Sequence, residues 1–466
     1  MPIGMSFEDY KSFVQSVEKY LAPYATSSFE AIRLDGTKSI EIYNSIPPDE
    51  HQQARLRFRT PFQHDRDSIL YSSFFAPLAQ KTQLLTANAS ILRTRLTHTL
   101  IVNQMAISIA RGLRLNEDLV EAIALGHDIG HTPFGHAGER GINRWLQKKV
   151  GRITTTLGLN SGRPGSPNLE KAFLISKKED LTALLRNKDG REGLFMHGKQ
   201  SFKKLVFFEE LELTKQVLFG IWRHSRKPQV PDHQFEWEIS FKDKIYSLSA
   251  TCNTFEAEVV RIADDIAWVT HDIEDAIRVG IIKDEDVQNQ AVADVGPNHV
   301  YVPDILGHRG AWINAFVFET IKHNLDKGLS KEALLKGEQR LDLSPPYEET
   351  LTRLRELVYK NILRNGEAKR ADDAAEKVIE ELCDHYHACK DAKDLIEDIK
   401  LIRNQRGGAR KDFPFTDDKT LKNLWKEPHT GLAFICDFVS SLTDREALKL
   451  HEKYYSPIYQ IRIPFL

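Results

Sequence analysis

The chain has 466 residues, 41% of them hydrophobic, which is enough for one large helical body or for a catalytic domain with a satellite. Its 64 basic and 66 acidic residues leave a formal net charge of −2, so we expect a local basic patch, and not a global field, to bind any polyanion. No apolar run approaches the roughly 20 residues of a membrane span, and the four cysteines do not suggest a disulfide framework in so long a chain, so we expect a cytoplasmic protein with no membrane partner.

Two helices are predicted in the first third of the chain. Residues 1–54 hold a short amphipathic pattern and form an N-terminal arm, after which a helix-rich region begins. Residues 94–113 repeat apolar side chains at helical spacing and predict the first helix. Asn116 is suited to cap a second helix, which ends at Gly130 after a His-Asp pair.

Strand signals are few in the rest of the chain. Residues 235–250 predict a small hairpin, residues 255–280 a further helix, and residues 331–404 several helices with charged faces. We therefore predict an all-α fold with a small β-hairpin and additional C-terminal helices. The predicted catalytic domain spans 55–290, and a C-terminal helical region at 291–466 packs on it.

Three separated segments carry side chains that bind metals. His98 lies in the first predicted helix, His127 and Asp128 lie at the end of the second, and the pair Asp264-Asp265 lies in the helix after the hairpin. Two imidazoles and two carboxylates form a mixed nitrogen and oxygen set that suits Mg, Mn, Fe, Co, Ni or Zn. A lone histidine on an amphipathic helix is more often structural, but HDIGHTPFGHAGE packs five titratable groups into thirteen residues. Packing alone does not explain that density.

These residues carry a resemblance to a known family. His98, the His127-Asp128 pair and a distant helical aspartate resemble the H…HD…D pattern of the HD superfamily. The strings RTRLTHT, LNEDLVEAIALGHDIGHTPFGHAGE, EAEVVRIADDIAWVTHDIEDA and ICDFVSSLTDREAL resemble the deoxyguanosine triphosphate triphosphohydrolases in particular, in the same order. The resemblance implies an HD fold with one divalent metal ion, Mg, Mn or similar.

The choice within the acidic pair follows from the family's spacing. In that family an aromatic residue follows the metal-binding aspartate by four positions and a second aspartate follows it by eight. Asp264, Trp268 and Asp272 fit this spacing, and residues four apart lie on one helical face. Asp265 points about 100° away. We therefore predict Asp264 as the fourth ligand, beside His98, His127 and Asp128.

Two residues after the His-Asp pair are suited to proton transfer. His136 and Glu139 share a face if they are helical, and a carboxylate orients an imidazole and raises its pKa. The resemblance implies that this pair supports attack of water on the α-phosphorus, with His131 as a further catalytic or phosphate contact. The alternative for His131 and His136 is that they anchor the loop through hydrogen bonds.

Further residues are expected to bind the substrate. Arg95 lies one helical turn before His98, where a guanidinium suits a bound phosphate. The resemblance implies that Lys81 and Gln83 line the deoxynucleoside pocket, with Gln83 contacting a base edge. It also implies that Asp272 accepts a hydrogen bond from the 3′-hydroxyl and that Trp268 packs on the deoxyribose, leaving no room for a 2′-hydroxyl.

Two other segments have ambiguous patterns. Lys203, Lys204, Arg223 and Lys227 offer a patch for a triphosphate or are ordinary surface charges. The string CDHYHAC, 383–389, resembles a zinc site, but on one helix its cysteines and histidines fall on two faces. One ion cannot reach all four, so we predict no metal site of that kind.

The sequence therefore predicts hydrolysis of a deoxynucleoside triphosphate, preferably dGTP, to a deoxynucleoside and inorganic triphosphate. The alternatives are another HD phosphohydrolase, such as a nucleotidase or cyclic-nucleotide phosphodiesterase, and a non-catalytic nucleotide sensor. The resemblance also implies a homo-oligomer, often a hexamer, with nucleotides or single-stranded DNA as candidate activators.

Overall fold

A computed structural model describes most of the chain, namely residues 7–40, 59–83, 92–156, 194–225, 236–241, 244–287, 311–363, 366–389, 392–406 and 428–456. Its helices and strands are, in chain order, α1 Phe7–Glu18, α2 Pro61–Leu70, α3 Arg95–Gly112, α4 Glu117–Gly126, α5 His136–Thr156, α6 His197–Lys203, α7 Lys215–Arg223, β1 Glu236–Phe241, β2 Lys244–Ser249, α8 Phe255–Arg278, α9 Ala311–Lys327, α10 Lys331–Leu335, α11 Pro345–Leu357, α12 Gly366–Ala388, α13 Lys393–Gln405, α14 Pro428–Ser441 and α15 Asp444–Tyr455.

This architecture confirms the predicted fold class. The described residues are mostly helical, and β1 and β2 pair as one antiparallel hairpin, with Glu236 opposite Ser249 and Phe241 opposite Lys244. Helices α9 to α15 lie in the region predicted to hold the additional C-terminal helices, 291–466. Within the described part of the chain, no helix combines the length and the apolar character needed to cross a bilayer.

The chain folds into two compact units, each built from separate segments. The first unit contains residues 1–71, 97–127 and 211–365, and the second contains 72–96, 128–210 and 366–466. The domain limits predicted at residues 54 and 290 lie outside the described residues.

Helix α4 lies at the centre of the first unit. Asn116 caps it as predicted, since its side-chain oxygen accepts a hydrogen bond from the backbone N–H of Leu119 at 3.3 Å. Seven of the ten residues of α4 are buried, which fits its high content of apolar side chains. It packs against α2, α7 and α8, so its C-terminal end is held from several sides.

Two glycines allow α4 and α7 to approach closely. A methyl group added at Gly126 of α4 would lie 2.4 Å from Cδ1 of Ile221, and one added at Gly220 of α7 would lie 2.6 Å from Cδ1 of Ile123. Each glycine therefore accepts an isoleucine from the opposite helix. This reciprocal contact brings together the C-terminal ends of the two helices, where the chain continues into histidines.

The core of the second unit forms between α5 and α12, with α14 and α15 beside them. Trp145 of α5 is fully buried, and its indole N–H donates a hydrogen bond to Asp384 of α12 at 3.1 Å. Tyr386 and Phe438 meet edge to face in the same apolar cluster, with ring centroids 5.4 Å apart. The second unit thus has a hydrophobic core of its own.

Candidate functional site

His127 follows directly after α4 and has a fixed ring orientation. Its Nδ1 donates to the carbonyl oxygen of Ala124 at 2.6 Å, because a carbonyl can only accept. This hydrogen bond turns Nε2 towards Asp264 of α8, whose Oδ1 lies 3.8 Å away. A backbone partner that fixes one imidazole nitrogen while the other faces a carboxylate is typical of histidines that bind metals.

His98 of α3 approaches the same carboxylate oxygen. Its Nε2 lies 3.0 Å from Oδ1 of Asp264, and its Nδ1 lies 3.3 Å from Nδ1 of His271. Burial alone would raise the pKa of Asp264, but the hydrogen bond with His98 and the charges of His127 and His98 hold that pKa well below its usual range. Asp264 is therefore ionised and ready to act as a ligand.

The neighbouring aspartate has different partners. Asp265 accepts hydrogen bonds from Trp268 Nε1 at 3.1 Å and from Arg355 Nη2 at 2.8 Å. The two carboxylates of the pair thus contact different side chains, because adjacent residues of a helix point about 100° apart.

His224 was missed by the sequence analysis. It follows α7, its Nδ1 donates to the carbonyl oxygen of Ile221 at 2.8 Å, and its ring meets that of His127 edge to face at 4.9 Å. His127, His224 and Asp264 each place one ligand atom within 4.8 Å of the others. The sequence signal for His224 is weak, because it directly follows Arg223 in a segment whose basic residues indicate only a patch for a triphosphate or ordinary surface charge.

This donor set fits a divalent ion. Imidazole nitrogens and an ionised carboxylate oxygen converge on one buried point of the first unit, and both histidines next to Asp264 have their second nitrogen engaged elsewhere. Nitrogen and oxygen ligands of this kind suit Mn, Fe, Co, Ni or Zn, and to a lesser degree Mg.

In the second unit, Asp128 begins a loop rich in titratable residues. Its Oδ2 accepts a hydrogen bond from Arg95 Nη1 at 3.1 Å, and its Oδ1 lies 3.2 Å from Nε2 of His131. All three side chains are buried. Arg95 also contacts the loop closely, because a methyl group added at Gly135 would lie 2.4 Å from Arg95 Nη2. The guanidinium Nε is buried and has no hydrogen-bond partner among the described residues.

Glu139, at the start of α5, joins two histidines. His136 Nδ1 and His197 Nδ1 each lie 3.2 Å from Oε2 of Glu139, and the backbone N–H of His197 donates to Oε1 at 2.8 Å. Burial would raise the pKa of Glu139, but the positive charge of His197 and the hydrogen bonds from both histidines hold it well below its usual range. Conversely, Glu139 raises the pKa of His197 against the effect of burial.

The three histidines around Glu139 differ in exposure and charge. His131 is buried and stacks on His197, with centroids 3.9 Å apart and planes at 14°. Burial, together with the charges of Arg95 and His197, holds the pKa of His131 well below its usual value, so His131 is neutral. His136 is 57% exposed and is the member that can meet a solute. The sequence does not predict His197 or His224 as site residues, because the most prominent feature of the segment around His197 is its lysines.

Lys81 and Lys204 are both buried within the second unit. Lys81 Nζ donates to the carbonyl oxygens of His131 at 2.5 Å and Ser440 at 2.8 Å. Lys204 Nζ donates to those of Ile129 and Ser440, each at 3.1 Å. Burial lowers the pKa of Lys81 to about 7. The interpretation of Lys204 as part of a surface patch is wrong, because its ammonium is enclosed and engaged with backbone carbonyls.

Of the other expected substrate residues, Gln83 follows an isolated β-bridge, and Trp268 and Asp272 lie on α8. The backbone N–H of Gln83 donates to the carbonyl oxygen of Arg93 at 3.2 Å, and its side-chain oxygen is buried with no partner among the described residues. Trp268 of α8 is half-buried against Tyr359, with ring centroids 5.8 Å apart. Asp272 is buried one helical turn further along α8. Their roles in substrate binding stay predictions, as does that of Lys81.

The fold is mostly helical, a His-Asp pair directly follows a buried helix, and its partner aspartate lies on another helix. Together these features define an HD-domain protein of the metal-binding phosphohydrolase class. The HD domain family matches residues 95–268, and the phosphohydrolase-associated domain matches residues 341–411.

Curated relatives extend this match over most of the chain. A deoxyguanosinetriphosphate triphosphohydrolase-like protein of Wolinella succinogenes is 32% identical, over 80% of this chain and 96% of the relative. Proteins described in the same words from Desulfatibacillum aliphaticivorans and Caldanaerobacter subterraneus are 30% and 28% identical, over 87% and 94% of this chain and 90% and 93% of the relatives. The chain therefore belongs to the deoxyguanosinetriphosphate triphosphohydrolase-like family of the HD superfamily.

Proposed function

We propose that the protein hydrolyses deoxynucleoside triphosphates, with dGTP preferred, to a deoxynucleoside and inorganic triphosphate. The observation that carries this proposal is the convergence of His98 and His127 on Asp264, since an ionised, partly buried carboxylate between two buried and oriented imidazoles is suited to hold a catalytic metal. The names of the relatives support the choice of dGTP.

The metal ligands in this proposal are His98, His127, Asp128 and Asp264. Asp128 directly follows His127 in the sequence, and the HD motif formed by this pair supports the role of Asp128 as a metal ligand. His224 is a further nitrogen donor within 4.8 Å of His127 and Asp264. A divalent ion, when bound, lowers the pKa of a coordinated water and neutralises charge on a phosphoryl oxygen.

Proton transfer falls to the cluster around Glu139. His136 is exposed and hydrogen-bonded to an ionised Glu139, so it can exchange a proton with a substrate atom or with water. His197 holds the same carboxylate from the buried side, which fixes the direction in which Glu139 orients His136. His131 is neutral and buried, and we propose it as a polar contact to a phosphate or to water.

Substrate recognition is assigned residue by residue. The Arg95 guanidinium retains a buried Nε that can donate to a phosphate oxygen. Gln83 presents a buried amide oxygen suited to a base edge. Trp268 and Asp272 are assigned to the deoxyribose and its 3′-hydroxyl, and Lys81 to the nucleoside side of the pocket.

The proposal also covers the cellular location, the oligomeric state and the activators of the protein. A cytoplasmic location rests on the cysteine usage of the sequence. A homo-oligomer, with nucleotides or single-stranded DNA as activators, rests on the family resemblance alone. Native gel filtration tests the oligomer, and dGTP turnover with and without a second nucleotide or single-stranded DNA tests the activators.

Product analysis tests the reaction. The purified protein is incubated with each of the four dNTPs and with GTP, in Mg²⁺ or Mn²⁺, and the products are separated by anion exchange. We expect deoxyguanosine and triphosphate in equal amounts. Release of orthophosphate or pyrophosphate would place the protein among other phosphohydrolases, and an absence of turnover under all conditions would support a sensor. Asp128→Ala, purified in parallel, controls for contaminating phosphatases.

A further inference from the structure

Three side chains of different metal-ligand types meet where α12 gives way to α13, all within the second unit. Nε2 of His385 lies 3.0 Å from Oδ2 of Asp394, and Sγ of Cys389 lies 3.2 Å from the same oxygen. Each residue offers a ligand atom within 4.8 Å of the other two. None of these residues belongs to the candidate site described above.

The backbone explains how the three side chains converge. His385 lies in the last turn of α12, and Cys389 directly follows the helix, four residues further on. The backbone N–H of Cys389 still donates to the carbonyl oxygen of Tyr386 at 3.3 Å, which keeps its side chain on the face of His385. Asp394 lies in the first turn of α13. The connection reaches that helix through Ala392, which adopts a left-handed conformation with a φ of 52°, a conformation that costs free energy in a residue other than glycine. A carboxylate at a helix start is common because the helix dipole favours it. The dipole does not explain why an imidazole and a thiol both form hydrogen bonds to the same oxygen of Asp394.

The imidazole of His385 is held in position. Its ring stacks on Tyr454 of α15, with centroids 3.7 Å apart and planes at 25°. The hydroxyl of Tyr454 is in turn hydrogen-bonded to the buried Asp398 of α13. The side chains of His385 and Asp394 are 23% and 34% exposed, so solvent and ions reach them. The cluster is thus oriented by packing and open on one side.

We propose that His385, Cys389 and Asp394 form a second metal site, which binds Zn²⁺ or a chemically similar transition metal with water as the fourth ligand. A thiolate, an imidazole and a carboxylate in a four-coordinate arrangement suit Zn²⁺, Co²⁺, Ni²⁺ or Cd²⁺ and do not suit Mg²⁺. On binding, the Cys389 thiol loses its proton to solvent, and the proton on His385 Nε2 is exchanged through solvent for one on Nδ1. Metal–sulfur and metal–nitrogen bonds then replace the two hydrogen bonds to Asp394.

The other members of the CDHYHAC string take no part. Cys383 is fully buried in the hydrophobic core, and the ring of His387 stands edge to face against Trp145 at 5.8 Å. Helix geometry keeps one ion from reaching all four residues of the string, and the positions of Cys383 and His387 agree with this. The site arises because Asp394, from the next helix, completes the face that His385 and Cys389 share.

Without metal, the thiol is a poor nucleophile and a weak ligand. Burial, together with the nearby Asp394 carboxylate, raises the pKa of Cys389 to about 11, so the thiol is protonated at neutral pH. Metal binding therefore competes with a proton and strengthens as the pH rises. The bound ion connects α12 directly to α13, and we expect it to stabilise this corner of the second unit without entering catalysis.

Cobalt substitution tests the proposal, because Co²⁺ bound to a thiolate absorbs strongly in the near ultraviolet and the His/Asp site has no sulfur ligand. The full chain is stripped with EDTA and titrated with Co²⁺. We expect the thiolate band to saturate between one and two equivalents per chain, because the His/Asp site also takes Co²⁺, and its amplitude should correspond to one thiolate-bound ion. Cys389→Ser should abolish it, and His385→Ala should weaken the apparent Co²⁺ affinity by more than the roughly tenfold that loss of an outer-shell partner costs.

Controls separate this site from other cysteines and from a folding defect. Cys252→Ala removes a different buried thiol and should leave the band intact. Unfolding in EDTA should give wild type and Cys389→Ser the same midpoint. Added Zn²⁺ should raise the wild-type midpoint further than that of Cys389→Ser, because the His/Asp site takes Zn²⁺ in both proteins. If no thiolate band develops, or if the band survives in both Cys389→Ser and Cys389→Ala, the proposal is wrong. Because the readout is spectroscopic, its outcome is independent of whether the protein hydrolyses dGTP.

Discussion

Replacing Asp264 by asparagine, with Asp265→Asn as its matched control, separates the two carboxylates of the acidic pair. Asparagine preserves the shape of the side chain and removes only its charge. Asp264 faces His98 and His127, whereas Asp265 faces Arg355 and Trp268. We therefore expect loss of metal and of activity in the first variant only.

The contacts of the two carboxylates set the expected loss of metal affinity and the expected loss of folding stability. The hydrogen bond between His98 and the ionised Asp264 contributes about 1.5–3 kcal/mol to folding, part of which asparagine retains. Metal affinity should fall by more than the roughly 10–100-fold that loss of an outer-shell partner costs. That floor corresponds to ~1.4–2.8 kcal/mol of binding free energy. Asp265 loses a partly exposed ion pair, worth up to about 1 kcal/mol of stability.

Metal analysis after dialysis against a fixed free concentration of Mn²⁺ measures the loss of metal affinity. Denaturant unfolding of the metal-free proteins measures the loss of stability. Asp264→Asn should contain little metal and hydrolyse no dGTP, while Asp265→Asn should match the wild type in metal content. Equal metal loss in both variants would mean that the site does not discriminate between the two carboxylates. Full occupancy in Asp264→Asn would remove Asp264 from the ligand set.

The remaining predictions concern proton transfer, the sugar and pH. His136→Ala should lower turnover by roughly 10²–10⁴ with unchanged metal content, and a rate near wild type would exclude His136 from the mechanism. Wild type should prefer dGTP to GTP, and Trp268→Ala should narrow that difference in kcat/KM; equal rates on both nucleotides in wild type would refute the sugar assignment. Lys81 has a pKa of about 7 in the folded chain against an ordinary 10.5. Between these values the unfolded chain binds more protons than the folded chain, so stability rises with pH, by at most ~5 kcal/mol for this group. Urea unfolding from pH 7 to 10 should therefore show wild type gaining stability relative to Lys81→Met, and parallel curves would contradict the buried ammonium.

Local patterns in the sequence predicted those parts of the fold that depend on neighbouring residues. The cap at Asn116, the hairpin within 235–250 and the contact between His136 and Glu139 all join residues close in the chain, where periodicity and spacing are informative. The family resemblance added the distant pairing of His98 with Asp264, which no local pattern predicts.

Long-range partners were the main omission. Glu139 was expected to contact His136, three residues away, but its second partner is His197, 58 residues further along the chain. Nothing in the segment around His197 distinguishes it from an ordinary surface stretch, since the glutamate that it contacts lies on another helix. The buried state of Lys204 was missed for the same reason, because its carbonyl acceptors at Ile129 and Ser440 come from distant segments.

His224 shows how apolar packing can place a functional side chain. Gly126 and Gly220 have no chemistry of their own, yet each accepts an isoleucine from the opposite helix, so α4 and α7 lie in close contact near their C-terminal ends. His127 and His224 are the residues reached one and four positions beyond those glycines, and their rings consequently meet at 4.9 Å. A larger residue at either glycine would force the helices apart, since cores do not absorb an added methyl group without shifts. The spacing of the nitrogen donors around Asp264 is therefore set by the hydrophobic contact between two helices, and the identity of the histidines alone does not determine it.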